Sequence, residues 1–157
     1  YYGYSKWVGE QKIQAFCEKF YIFRVQWLYG KHGNHFVKSI QRLAQSHKTL
    51  TIVNDQWGTP TSTASLSEYV LRTINSALPW GIYHLRDEGY TTWNDYALLI
   101  ASQLNLDCEI TPISSDLFKR PAARPLNGRL SCEKWKSNLS FTPYSWQDMV
   151  IQFIKEV

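Results

Sequence analysis

The stretch YYGYSKWVGEQ (residues 1–11) decides how the rest of the chain is interpreted. It places Tyr2 and Lys6 four residues apart, at the start of a run in which apolar residues recur at helical spacings. Residues i and i+4 of a helix lie on one face, so the two side chains are predicted to be neighbours. A free tyrosine, with a pKa of about 10, is a poor acid at neutral pH, and a nearby ammonium group lowers that pKa. The pair is therefore a candidate general acid, although a surface helix start would give the same pattern.

The composition of the 157 residues is that of one globular domain or of a piece of a larger one. Hydrophobic residues make up 44%, and seven Trp, ten Tyr and seven Phe supply rings of the kind that line ligand sites. The net charge of +4 is scattered, which disfavours nucleic acid as a partner and suits an anionic small ligand. No apolar stretch reaches the ~20 residues of a bilayer span, so no membrane partner is predicted.

The cysteine and histidine residues give no sign of a metal or redox site. Cys17, Cys108 and Cys132 form no CxxC pattern, which indicates reduced thiols in a cytoplasmic protein. His32 and His35 have no carboxylate or cysteine at ligand spacing. The chain begins with Tyr rather than Met, from which we expect it to be a piece of a longer protein.

Hydrophobic periodicity and turn residues predict a strict alternation of helices and strands, which indicates an α/β architecture. The predicted helices cover 5–20, 36–46, 65–78, 91–104 and 145–157, the strands cover 21–30, 50–53, 81–85 and 108–114, and a loop containing Arg120 covers 115–131. Candidate N-caps are Ser65 or Ser67, Thr91 or Thr92, and Ser145.

Five segments, taken in order, resemble one known family. They are YYGYSKWVGEQ (1–11), FRVQWLYGKHGNHF (23–36), LTIVNDQWGTPTST (50–63), GIYHLRDEGYTTWNDYA (81–97) and RPLNGRLSCEKW (124–135). Together they are similar to the dTDP-4-dehydrorhamnose reductase family of the extended short-chain dehydrogenases/reductases. The resemblance implies that residues 1–157 are the C-terminal, substrate-binding portion of a Rossmann-like α/β fold, with the Tyr-x-x-x-Lys helix at 2–20. The N-terminal cofactor half is expected to be missing, because none of the eight glycines belongs to a G-x-x-G-x-x-G turn.

The resemblance also implies an activity and its cofactor. The full-length protein would reduce the 4-keto group of a nucleotide-linked 6-deoxy sugar, dTDP-4-dehydrorhamnose, to give dTDP-L-rhamnose for polysaccharide biosynthesis. The hydride would come from NADPH or NADH, and the 157-residue chain alone is expected to be inactive. The residues do not indicate Mg²⁺, although the resemblance leaves it open. A homodimer is also left open, as is the choice between dTDP and UDP. The alternatives are an epimerase or dehydratase of the same superfamily, and a non-catalytic binding or regulatory subunit.

By this resemblance Tyr2 would protonate the 4-keto oxygen, while Lys6 would lower the pKa of Tyr2 and hold the nicotinamide ribose, so that both also bind the cofactor. Trp27 would lie beside the sugar, or else be a strand aromatic of the core. Asn34 would hydrogen-bond sugar or phosphate, or else cap the helix 36–46. His84 is predicted to be a strand histidine rather than a catalyst.

The remaining candidates would bind the nucleotide. Asp55, Gln56 and Thr61 would wall its pocket, although Thr61 could instead cap a helix. Arg124 and Arg129 would bind the diphosphate, because a guanidinium pairs with phosphate oxygens in bidentate fashion, although both could be solvated surface arginines.

Overall fold

The computed structural model describes residues 1–118, 121–122 and 124–156. Helices are separated by one to three short strands as far as β8, and two helices then follow in succession, which confirms the predicted α/β class but not the strict alternation. The helices are α1 (Tyr2–Phe16), α2 (Phe36–Ala44), α3 (Thr63–Asn75), α4 (Trp93–Gln103), α5 (Glu133–Leu139) and α6 (Trp146–Glu156). The strands are β1 (Tyr21–Arg24), β2 (Leu28–Tyr29), β3 (Thr49–Val53), β4 (Trp57–Gly58), β5 (Thr61–Ser62), β6 (Gly81–His84), β7 (Thr91–Thr92) and β8 (Glu109–Ile113). Arg120 of the predicted loop and Val157 of the predicted last helix lie outside the described residues.

Parallel pairing dominates the sheets. β1 pairs with β6, β2 with β5 and β3 with β8, all in parallel, whereas β4 and β7 pair antiparallel. The register of the first pair aligns Arg24 with His84, so both strands end at the same edge. Ligands of parallel sheets bind beyond the carboxyl ends of the strands, so the connections that follow β1, β3, β6 and β8 are where a site is to be sought.

Two apolar clusters hold these elements together. The larger packs α2, α4 and α6 against β3, and the smaller joins α3, β6 and α5. Trp135 is the buried residue of α5, a helix that the sequence analysis did not predict. Its indole N–H donates to the Thr73 hydroxyl of α3 at 2.7 Å. The buried members of the clusters are Tyr29, Val37, Ile40, Leu50, Tyr96, Ala97, Ile100, Trp146, Val150 and Phe153 in the larger, and Tyr69, Leu78, Tyr83, Leu85 and Trp135 in the smaller.

The first helix and the first strand differ most from the prediction. α1 ends at Phe16 rather than at residue 20, because Cys17 adopts an extended backbone conformation with φ −123° and ψ 121°. The predicted strand 21–30 is divided into β1 and β2. Trp27 lies between them with φ 46°, in the left-handed region that a strand does not accommodate. The interpretation of Trp27 as a strand residue is therefore wrong.

The helix caps agree with the prediction only in part. Thr92 caps α4 by accepting from Asp95 N at 3.1 Å, as predicted, and Ser145 accepts from Asp148 N at 3.4 Å at the start of α6. α3 begins earlier than expected and is capped by Ser62, whereas the cap position of α2 is occupied by His35. The predicted caps Asn34, Thr61, Ser65 and Ser67 are therefore wrong.

Candidate functional site

Tyr2 and Lys6 lie on one exposed face at the start of α1. Nζ of Lys6 is 5.6 Å from the centroid of the Tyr2 ring, so the predicted juxtaposition of the two side chains is present. Tyr2 is 76% exposed, and its phenol is therefore open to a ligand rather than packed in a core. Tyr4, two residues further on, packs against Trp7 instead, with 5.8 Å between the ring centroids.

A bidentate ion pair attaches α1 to the end of β1. Nη2 and Nε of Arg24 donate to the two carboxylate oxygens of Glu10 at 2.6 and 2.9 Å. The hydrogen bond from Arg24 lowers the pKa of the Glu10 carboxyl and outweighs the opposing effect of desolvation. No side chain of α1 is buried within the 157 residues. Glu10 lies about 12 Å along the helix axis from Tyr2.

Three connections meet beyond the strand ends. Trp57 N donates to Leu126 O at 2.8 Å, and Gly128 N donates to Trp57 O at 2.9 Å. Gln26 closes the arrangement. In the amide orientation that satisfies both neighbours, its Nε2 donates to Gly128 O at 2.6 Å and its Oε1 accepts from Thr59 N at 3.2 Å. We call this arrangement the strand-end junction, formed by residues 25–27, 56–59 and 126–130.

Trp27 covers one side of the strand-end junction. Its ring stacks on Trp93 at the start of α4, with 3.7 Å between the ring centroids and 21° between the planes. Gly58 passes close beneath it, because a Cβ at this position would lie 2.6 Å from two carbons of the indole. Only glycine therefore fits at residue 58 without displacing Trp27, whose partly exposed ring offers a flat apolar surface.

The Arg129 guanidinium lies at the surface of the strand-end junction. Its Nε donates to Asn127 Oδ1 at 2.9 Å. Its central carbon is 5.5 Å from the Trp57 ring centroid and 5.9 Å from that of Tyr90, within cation–π distance of both. Because Asn127 engages Nε, the edge formed by the two Nη atoms is the one that can meet an anion.

A cavity of about 350 Å³ lies between α2, β3 and the start of α4. Phe36, Ile52 and Trp93 contribute to its apolar wall, and its lining also includes two of the predicted site residues, Gln56 and Arg124. This volume is in the range of small-molecule sites, about 300–1,000 Å³. A larger groove of about 490 Å³, between α3 and α6, contains none of the predicted site residues.

Three other predicted site residues differ in their surroundings. Asp55 accepts hydrogen bonds from Ser115 N at 2.9 Å and from the hydroxyls of Ser114 and Ser115 at 3.2 and 2.8 Å. These bonds tie the ends of β3 and β8 together, and the bond from the Ser115 backbone lowers the pKa of the Asp55 carboxyl. Thr61 is completely buried, so its hydroxyl is not exposed to a ligand. Asn34 is exposed just before α2.

Five residues in or next to the strand-end junction were not singled out from the sequence, namely Gln26, Trp57, Arg86, Tyr90 and Asn127. Trp57 follows the predicted strand 50–53, and Arg86 and Tyr90 follow the predicted strand 81–85. Polar and aromatic residues directly after parallel strands were the signal that could have identified them. Asn127 has no such signal, because its role depends on a hydrogen bond to a residue of an irregular loop.

Three other possibilities for the described residues are a catalytic histidine, a metal site and a membrane-spanning helix. His84 is a strand residue, as predicted, at the end of β6, and its Nδ1 lies 3.1 Å from Ser131 O. Among residues 1–118, 121–122 and 124–156, no group of three or more His, Cys, Asp or Glu side chains is arranged to hold a metal ion. No helix within the same residues is both long enough and apolar enough to cross a bilayer.

Comparison with known proteins identifies similar chains along the whole length. The dTDP-4-dehydrorhamnose reductase of Salmonella typhimurium is 35% identical over 166 residues, which cover 99% of this chain and 56% of that protein. The crystal structure of the Bacillus anthracis reductase in complex with NADP has a TM-score of 0.94 at 34% identity, over 99% of this chain and 55% of that one. A Clostridium acetobutylicum reductase gives 0.92 at 35% identity, with the same coverage.

The chain thus spans about half the length of the curated relatives that it matches. The family described as RmlD substrate binding domain matches residues 1–157, that is, every residue of the chain. Sequence, fold and family comparison agree, and this chain belongs to the RmlD substrate binding domain family.

Proposed function

We propose that this chain is the C-terminal, substrate-binding part of a reductase that converts dTDP-4-dehydrorhamnose to dTDP-L-rhamnose with NADPH or NADH. One observation carries the proposal, namely that Tyr2 and Lys6 lie together on an exposed helix face. Relatives that cover nearly the whole chain are named as this reductase, and one of them holds NADP. The glycine-rich turn of such enzymes would lie upstream, because none of the eight glycines here forms one.

Tyr2 and Lys6 are the catalytic residues of the proposal. The phenol of Tyr2 donates its proton to the 4-keto oxygen, and the ammonium group of Lys6 stabilises the phenolate that is left. Lys6 also hydrogen-bonds the ribose next to the nicotinamide. The reduced nicotinamide, when the cofactor is bound, supplies the hydride to C4 of the sugar. The exposure of both side chains fits this role, since each is open to a ligand.

The strand-end junction and the cavity beside it bind the nucleotide part of the substrate. Arg129 presents its Nη edge to the diphosphate, and Arg124, which lines the cavity, contributes a second cation. The nucleoside occupies the cavity, where the Gln56 amide can hydrogen-bond the base. Trp27 lies beside the sugar and contacts its apolar face.

The other predicted contacts have supporting roles. Asp55 and Thr61 support the pocket wall without contacting the ligand. Asp55 is hydrogen-bonded to Ser114 and Ser115, and Thr61 is buried. Asn34, which is exposed, can hydrogen-bond sugar or phosphate.

Steady-state kinetics of the full-length protein test the proposal. With dTDP-4-dehydrorhamnose as substrate, the parent protein should oxidise NADPH or NADH in a stoichiometric reaction. Tyr2→Phe should lower kcat by at least about 100-fold, the size of a typical general acid contribution, while the affinity for dTDP stays unchanged. Tyr4→Phe is the matched control, because Tyr4 is also exposed on α1 but packs on Trp7, and its activity should stay within about twofold of the parent.

Two outcomes would contradict this function. If the full-length protein binds dTDP but never consumes the reduced cofactor, it is a binding subunit. If Tyr2→Phe turns over as fast as the parent, Tyr2 is not the acid. Parallel assays with the UDP-linked sugar identify the nucleotide, and identification of the product by NMR separates reduction from epimerisation or dehydration.

A further inference from the structure

Arg86 is a buried cation at the carboxyl end of β6, outside the residues that the proposed function assigns to the substrate. It is only 3% exposed. Its Nε donates to Leu130 O at 2.7 Å, its Nη1 donates to Asp87 O at 2.7 Å and to Gly89 O at 3.3 Å, and its Nη2 donates to the Tyr90 hydroxyl at 2.9 Å. The rigid plane of the guanidinium thus joins the turn after β6 to the end of the strand-end junction.

Two of these bonds act on the immediate surroundings of Arg129. Leu130, the next residue in the chain, offers a carbonyl that also accepts from the Tyr90 hydroxyl at 3.1 Å. The Tyr90 ring lies 5.9 Å from the guanidinium carbon of Arg129. Arg86 therefore fixes both the backbone that follows Arg129 and one of the rings beside its side chain. We infer that Arg86 is a positioning residue that orients the Arg129 guanidinium towards the diphosphate, an inference that rests on the proposed function.

The setting of Arg86 favours a geometric role over simple stabilisation. Burial of a cation carries a desolvation cost, and an apolar side chain of similar volume often gives an equally stable protein. The carboxylate of Glu88 lies 3.8 Å from Nη2, too far for a hydrogen bond, and it bonds Lys136 at 3.2 Å instead. The planar guanidinium of Arg86 donates to all four acceptors at once, and neither an apolar residue nor a lysine can do so.

A double-mutant cycle on the full-length protein tests this inference. The variants are Arg86→Lys, Arg129→Gln and their combination, with calorimetric titration of dTDP and, separately, of thymidine. Arg86→Lys should weaken the binding of dTDP about tenfold and leave that of thymidine within about twofold, because only dTDP carries the diphosphate. In the Arg129→Gln background the same substitution should change little, since the group that it positions has been removed. Arg72→Lys, in an exposed ion pair on α3, is the matched control and should alter neither titration.

The outcomes separate this inference from the proposed function. If Arg129→Gln weakens the binding of dTDP but Arg86→Lys does not, only the positioning role falls. Equal losses for dTDP and thymidine, or a loss that persists undiminished without Arg129, would indicate general damage and overturn the role as well. A parent protein that does not bind dTDP overturns both.

A milder variant covers the case in which Arg86→Lys does not fold. Tyr90→Phe removes only the hydroxyl that links Arg86 to the Leu130 carbonyl. It should weaken the binding of dTDP about threefold without affecting that of thymidine, because both hydrogen bonds of the Tyr90 hydroxyl are lost while the direct bond from Arg86 Nε to Leu130 O remains. An unchanged dTDP affinity in this variant would count against the inference.

Discussion

Gly58 lies where the backbone of β4 passes beneath the Trp27 ring, and alanine at this position should both destabilise the fold and displace that ring. The added Cβ would lie 2.6 Å from two indole carbons, whereas ordinary carbon–carbon contacts fall at about 3.5–4.0 Å. The indole would have to move by about 1 Å, although it already stacks on Trp93 at 3.7 Å. Overpacking of this kind costs about 1–3 kcal/mol. We expect Gly58→Ala to lower the free energy of unfolding by about 2 kcal/mol and Tm by about 4–8 °C.

Urea and thermal unfolding of the 157-residue chain, followed by circular dichroism, measure the effect of Gly58→Ala. Gly9→Ala is the matched control, because Gly9 lies within α1, where a Cβ would meet nothing within 4 Å. That change should be neutral or stabilise by up to about 1 kcal/mol, through helix propensity. In a Trp27→Ala background the clashing ring is gone, so Gly58→Ala should then cost little. An equal loss with and without the Trp27 ring, or no loss in the parent, would refute the reasoning.

Two further predictions concern buried polar groups of the smaller core. Thr73→Val keeps the side-chain shape but leaves the Trp135 indole N–H unpaired. Urea unfolding should therefore show a free energy of unfolding that is lower by about 1–3 kcal/mol. Thr49→Val, at an exposed strand position, is the control and should change this free energy very little. Burial raises the pKa of the Asp87 carboxyl above its usual 3.8, so the folded protein holds this proton more tightly than the unfolded chain does. The stability contributed by Asp87 is therefore fully present only below pH 3.8 and declines as the pH rises through the folded-state pKa. The neutral Asp87→Asn should lack this decline, so its Tm relative to the parent should increase from about pH 4 to about pH 7, and a difference that is constant over this range would contradict the assignment.

The sequence predicted those features that depend on local spacing. The helices α2, α3, α4 and α6 have apolar faces at helical period, and each was placed to within a few residues. The Tyr2–Lys6 juxtaposition followed from the same geometry, because four residues make about one turn. α5 escaped prediction because the sequence EKWKSNL carries a single buried residue, Trp135, among exposed charges. Its place is fixed by a hydrogen bond to Thr73, 62 residues away, which no local pattern reveals.

The strand-end junction lay beyond sequence reasoning for a related reason. Trp27 was expected in a strand or beside a sugar, yet its position depends on a left-handed backbone and on a ring from α4. Asp55 was expected to wall the nucleotide pocket, and its Oδ2 atom accepts hydrogen bonds from Ser114 and Ser115. In both cases a partner about 60 residues away decides where the side chain points. The possible homodimer and the choice between dTDP and UDP stay predictions.

The placement of Arg129 shows why such a site depends on the whole fold. The groups around its guanidinium come from separate connections: Trp57 follows β3, Tyr90 follows β6, and Asn127 belongs to the loop before α5. Gln26, which follows β1, joins these connections without touching the guanidinium, because it bonds Gly128 and Thr59. If Arg129 binds the diphosphate as proposed, a substitution of Gln26 should therefore weaken that binding, although Gln26 does not contact the guanidinium. Substitutions at such positions should act on the phosphate-dependent part of binding and spare the nucleoside, a pattern that general loss of stability does not produce.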